Sequence, residues 1–285
     1  DAEGTSDLLR RAALLPDATR SGLASLVADP AALAAALDAV PADQAAKVLG
    51  ALLALPSSSV PELCGVAAHS TLQIWRQTVA DAVVLLLDDP AALRTLFESS
   101  QGREQVAPLL GLARQPSAAT IDACLRLTEH ADGVLRGAAL TALRPHNASE
   151  RVQKVVLRSL TDNSRLVRVE ALRQVAVHAM EGAAGIVEEQ LRTGALFARS
   201  DAIEARAWLM AYARAGGVAS APLLLGLLDG SARLPATPAE WLPAAVRAAL
   251  ATGDPSVSSA LEALAKSQIE VRRALAALRK ERAGP

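Results

Sequence analysis

Cys64 stands five residues before His69, and Cys124 six before His130. A thiolate and an imidazole on one short segment are two ligands of the kind zinc takes. A four-ligand site would need both segments to converge, and they lie 60 residues apart. Metal binding is therefore disfavoured, and no cofactor is expected. His146 and His178 are isolated, and the chain contains no His-Glu-x-x-His, no nucleophile elbow and no Gly-rich loop followed by Lys-Ser/Thr. Gly182 and Gly185 flank a helix start only. The reading is of a chain that is not an enzyme.

Other side chains suit holding rather than reacting. Trp75 and Trp208 neighbour Arg76 and Arg206. Trp and Arg are the residues most enriched at binding hot spots, although a Trp beside a repeating Arg equally fills a core between repeats. A formal net charge of −1 gives no overall signal for nucleic acid or an anionic membrane. The charge is uneven. Residues 1–115 carry 8 Lys and Arg against 13 Asp and Glu, and residues 116–285 carry 21 against 17. Between Asp132 and Met180 there are 8 against 4, which reads either as ordinary surface variation or as a basic strip facing an acidic partner.

The elements that would carry these residues are helices. Hydrophobic residues make up 51% of the chain and aromatics only 2%. The apolar mass is Ala, Leu and Val, which favours helix over strand. A 60-residue shift brings Asp29-Pro30-Ala31-Ala32-Leu33 onto Asp89-Pro90-Ala91-Ala92-Leu93, Cys64 onto Cys124 and Arg76 onto Arg136. Self-similarity at a fixed lag signals stacked units. Asp-Pro at 29–30, 89–90 and 254–255 sets a capping carboxylate before a proline at the first helical position. Thr237-Pro238-Ala239-Glu240 reads as a capping box, and Asn147-Ala148-Ser149 as a cap. Gly216-Gly217, Asp229-Gly230 and Gly253 read as stops. Apolar spacing gives first helices near 30–39, 60–69, 90–99, 117–130, 149–161, 184–198, 219–229 and 255–267. Second helices follow near 42–55, 71–87, 102–114, 132–144, 163–180, 200–215, 238–252 and 268–282. One or two more precede Asp29. The expectation is one all-α domain over 1–285, of about nine antiparallel pairs with no dividing linker. Residues 229–237 form its longest irregular stretch.

Arginine marks the second helices: Arg76, Arg103, Arg136, Arg168 and Arg206, with Arg272 closing the series. The fullest copy is Asp162-Asn163-Ser164-Arg165-Leu166-Val167-Arg168, followed by Glu170-Ala171-Leu172. In this pattern the chain resembles the HEAT-repeat family of armadillo-like α-solenoids. Val134-Leu135-Arg136, Ile203-Glu204-Ala205-Arg206 and Ile269-Glu270-Val271-Arg272 are weaker copies. The resemblance implies a right-handed α-α superhelix with second helices lining the concave face. It also implies a ladder of turn Asp and helix Arg, whose exposed pairs would be worth about 0–1 kcal/mol each.

The function expected is a non-catalytic scaffold or adaptor that binds a protein or peptide, an acidic one by charge, or another domain of a longer parent chain. Its partner surface is placed at Arg136, Arg168, Glu170, Arg173, Arg206 and Trp208. The alternative is a nucleic-acid-binding protein of the HEAT-like alkylated-base DNA glycosylase kind, disfavoured by the near-zero charge. Two cysteines make no disulfide framework, so both are expected buried and reduced in a cytoplasmic protein. The apolar runs Ala82–Leu87 and Ala221–Leu228 are too short to span a bilayer. The excess of Arg over Lys, with the Ala content, suggests a GC-rich bacterial source.

Overall fold

The computed structural model describes residues 27–114, 117–233 and 241–283. Among these every regular element is an α-helix or a short 3-10 turn, and there is no strand. The chain divides into two compact units, Asp1–Pro145 and His146–Pro285.

The first unit contains α1 (Pro30–Asp38), α2 (Ala45–Leu52), α3 (Val60–His69), α4 (Gln73–Leu87), α5 (Pro90–Ser99), α6 (Val106–Leu112), α7 (Ala118–Leu127) and α8 (Gly133–Leu143). The second contains α9 (Glu150–Ser159), α10 (Arg165–His178), α11 (Ala183–Thr193), α12 (Ala202–Gly216), α13 (Ala221–Asp229), α14 (Trp241–Ala251), α15 (Pro255–Ser267) and α16 (Ile269–Ala283). These bounds follow the spacing read from the sequence closely. Where the sequence suggests one helix over 42–55 or 102–114, the first turn is instead 3-10, at Ala42–Gln44 and Gly102–Gln105. The helices expected before Asp29, and the capping box at 237–240, lie outside the described residues.

The punctuation works as its chemistry dictates. Asp29 accepts from the Ala32 N–H at 3.0 Å, Asp89 from Ala91 at 2.8 Å and Asp254 from Ser256 at 2.8 Å. Each carboxylate satisfies an N–H that the helix leaves orphaned, and the proline behind it gives up none. Gly230 ends α13 at φ +82°, a left-handed position that a Cβ would strain. Ser149 is a correction. It occupies the N-cap position of α9 but its hydroxyl caps nothing.

Packing follows one rule in both units. Within each unit the second helices pack on one another, and from α4 onward each also packs on its own partner. In the first unit these contacts run α2 to α4 to α6 to α8, and in the second α10 to α12 to α14 to α16. First helices pack likewise, α1 on α3 and α13 on α15. The core is the row of Leu, Val and Ala between the layers, including Leu63, Val79, Leu109 and Leu140 in one unit and Leu172, Val187, Leu209 and Leu224 in the other. By length and composition Ala202–Asp229 could cross a membrane. It is two helices broken at Gly217, however, and 56% of its most apolar window is buried inside the protein.

Candidate functional site

Three of the six arginines that mark the second helices share one task, and it is local. Arg76 donates to the carbonyls of Ser70 at 2.9 Å and Thr71 at 3.2 Å. Arg136 donates to those of His130 at 2.7 Å and Ala131 at 2.8 Å. Arg168 donates to those of Asp162 at 2.8 Å and Asn163 at 3.1 Å. Each sits fourth in its helix and folds back onto the carbonyls six and five residues earlier. Those carbonyls belong to the turn, where no helical N–H reaches them. Arg206 is the fifth residue of α12, rotated by one step, and is exposed. Arg272 is fourth in α16, but the residues six and five before it still belong to α15, and it too is exposed.

The expected ladder of exposed Asp and Arg pairs is thus corrected. Turn aspartates do meet arginines of the preceding pair, Asp132 with Arg103 at 2.6 Å and Asp201 with Arg165 at 2.5 Å. Burial works against the Asp201 carboxylate, but the hydrogen bonds from Arg165 and the Glu204 N–H hold it below the usual carboxylate range. Arg168 instead forms a buried ion pair. Its Nε lies 2.6 Å from Glu204 Oε1, with the two side chains 9% and 1% exposed.

The six residues placed on a partner surface separate accordingly. Trp208 has no exposed area and fills the core, so it cannot anchor a partner. Glu170 is buried and accepts from Gln174 Nε2 at 2.9 Å. Arg168 is buried against Glu204. Arg136 lies in the first unit, half-buried on its two carbonyls. Arg173 and Arg206 are exposed on α10 and α12.

The basic strip over 132–180 is also largely engaged. Lys154 pairs with Glu150 at 2.6 Å, Arg165 with Asp201 and Arg168 with Glu204. What remains open is a stripe on the second helices of the second unit. Packing leaves α12 one uncovered side and opens α10 only towards its C-terminal end, since Val167 to Leu172 are all buried. On α10 that side shows Arg173 and, one turn on, Val177, which is 76% exposed. On α12 it shows Arg206, half-buried Met210 and Arg214. Neither stripe carries a carboxylate of its own, because Glu170 and Glu204 both point inward. Val177, Met210 and Arg214 were not singled out by sequence. The spacing 206, 210, 214 marks one face of a helix, but it does not say that the face is uncovered.

The thiols and imidazoles do not assemble. Cys64 and Cys124 are buried and free, and burial pushes both thiols up to about 12. His69 and His130 are exposed at the ends of the same segments. His130 Nδ1 accepts the Asp132 N–H at 3.0 Å. Among the described residues no three of His, Cys, Asp and Glu gather where an ion could sit. A shallow cleft of about 570 Å³ lies between α15 and α16, lined by Lys266, Arg272, Leu275 and the exposed Glu262–Arg279 pair. Compared with protein-family models, with curated proteins and with solved structures, the chain has no match.

Proposed function

We propose that the protein is a non-catalytic scaffold that holds a protein segment on the second-helix face of a HEAT-like, right-handed α-solenoid. The carrying observation is the unbroken row α10, α12, α14, α16, in which each helix packs on the last, while α10 and α12 keep uncovered stripes. Rigid, regularly spaced elements with a continuous open side suit recognition of an extended partner, and they demand no reactive group. Two buried thiols without a disulfide suit a reducing, cytoplasmic setting. A nucleic-acid role is the weaker reading, since Lys154, Arg165 and Arg168 of the basic segment are paired with carboxylates within the fold and phosphate binding needs cations free. Affinity capture from the source cells with chemical cross-linking and mass spectrometry tests the proposal. Cross-links from a retained protein to second helices support it. Failure to retain any protein, or release of everything retained by nuclease, overturns it.

A further inference from the structure

We infer that the segment held by the second unit is an acidic, amphipathic one, and that it lies on the stripe formed by Arg173, Val177, Arg206, Met210 and Arg214. The inference rests on the scaffold reading and specifies its partner. Three observations on α10 and α12 carry it. Arg173, Arg206 and Arg214 are exposed and have no carboxylate partner among the described residues. This contrasts with the neighbouring Arg165, Arg168, Arg192 and Arg247, each paired with Asp201, Glu204, Glu188 and Glu281 respectively. The stripe is also apolar between its charges: Val177 is the most exposed large aliphatic side chain among the described residues, and Met210 lies between Arg206 and Arg214. Finally, α10 and α12 pack directly on each other, so their stripes run side by side about 8–10 Å apart.

Geometry sets the partner's pattern. Arg206 and Arg214 are eight residues apart, about 12 Å along α12. A carboxylate can meet each only if a similar distance separates them on the partner, with an apolar residue between to cover Met210 and Val177. A helix with acidic residues at each end of two turns and Leu or Met between meets this requirement. Bare phosphate chains meet the arginines but leave the apolar side chains uncovered. Uniformly charged acidic tails do the same.

Fluorescence anisotropy with defined probes tests the inference. The probe is a labelled peptide of about 18 residues, ~27 Å as a helix, with Glu and Leu along one face. Its controls carry Lys for Glu, or Ser for Leu, and a short DNA duplex serves as competitor. The wild-type chain should bind the Glu and Leu peptide, and both substituted peptides at least about tenfold more weakly. Arg173→Glu with Arg206→Glu, and separately Val177→Asp, should each weaken binding about tenfold or more. The charge effect should shrink with salt. Arg199→Glu, the same charge change on an exposed turn, should leave binding unchanged. All these positions are exposed, so unchanged helicity and melting will show that the fold is intact. Equal binding by wild type and stripe variants, no binding up to about 1 mM peptide, or displacement by DNA at lower concentration than by peptide overturns the inference. A native partner cross-linked only to other helices would also overturn it while leaving the scaffold reading standing. Retention of no protein removes the scaffold reading itself.

Discussion

In the first unit Arg76 donates to the carbonyls of Ser70 and Thr71, and in the second Arg168 donates to those of Asp162 and Asn163. The clamp is the same, but the outcome for the surrounding helices differs. Arg76 meets no carboxylate directly, and burial lowers its pKa, with Asp38 opposing that from a distance. Arg168 adds Glu204 of the next second helix. The uncovered sides differ as well. In the first unit all seven residues of α6 are buried, enclosed by α3, α4, α5 and α8. Gln73 of α4 bonds Thr141 of α8 at 3.2 Å, and Asp81 of α4 pairs with Arg114 just after α6. In the second unit Arg173, Arg206 and Arg214 stand open. One helical pattern thus yields a fastened side and an uncovered one. The difference lies in whether the polar groups of the second helices find partners inside the unit.

The largest expected effect tests the clamps against each other. Arg168→Ala leaves the Glu204 carboxylate buried without its cation and should cost about 3–5 kcal/mol. The small cost expected of an exposed ladder pair does not apply here. Arg76→Ala strands no carboxylate and should cost less, about 1.5–3 kcal/mol for the charged hydrogen bonds lost. Urea denaturation of both variants measures this. Equal losses would mean that Glu204 contributes nothing beyond the shared clamp.

A second test concerns enclosure. A Cβ on Gly111 of α6 would come 2.6 Å from Val84 Cγ2 and 3.1 Å from Leu93 Cδ2. Gly111→Ala should therefore destabilise by about 1–3 kcal/mol through overpacking. Gly50 in α2 has nothing within 4 Å of that position, so Gly50→Ala should instead stabilise by about 0.5–1 kcal/mol through helix propensity. A rise in both melting temperatures would show that α6 is looser than its burial implies.

Much of this was legible in the residues. Asp-Pro caps, apolar spacing and the 60-residue match located helices to within a few residues, because capping and amphipathicity are local. The fate of charged side chains was not, because it depends on neighbours distant in sequence. Arg168 and Arg206 look equivalent as a series. One residue of register turns the first inward to Glu204 and the second outward. Trp208 reads as an anchor or as core until the packing of α12 on α10 and α14 decides for core. The apolar run Val106-Ala107-Pro108-Leu109-Leu110-Gly111-Leu112 has no polar side chain at all. It is the composition of a helix covered on every side, and it was the available sign that this unit offers no open stripe there.

Ionisation gives a third test. Burial raises both thiols of the first unit, Cys64 and Cys124, from 9.0 to about 12. In the second unit burial, with a hydrogen bond to Glu188, raises Tyr212 from 10.0 to about 12. A raised value means the folded state keeps its proton longer than the unfolded chain. The associated stability is fully present below the ordinary value and is lost as pH climbs towards 12. The first unit should begin to weaken near pH 9 and the second nearer 10. Maleimide labelling followed along a pH series, beside circular dichroism, measures the order. Rapid labelling of either cysteine at neutral pH would contradict the burial.

The smallest effect concerns the bond that joins α4 to α8. Gln73→Ala removes a neutral hydrogen bond at a partly buried position, and Thr141 keeps its own bond to the Gly137 carbonyl at 3.0 Å. No buried group is left unpaired, so the cost should be only about 0.5–1.5 kcal/mol. The informative measurement is hydrogen exchange in α6. Enclosure by the side chains of α3, α4, α5 and α8 predicts that α6 amides slow or quicken only with global stability, because the bond lies beside the helix and does not cover it. If Gln73→Ala speeds exchange in α6 far more than in α3, the bond acts as a latch, and the first unit is an openable version of the second. If both helices respond alike, the contrast between a fastened and an open side is built into the packing itself, and a peptide that binds the second unit has no equivalent seat on α6.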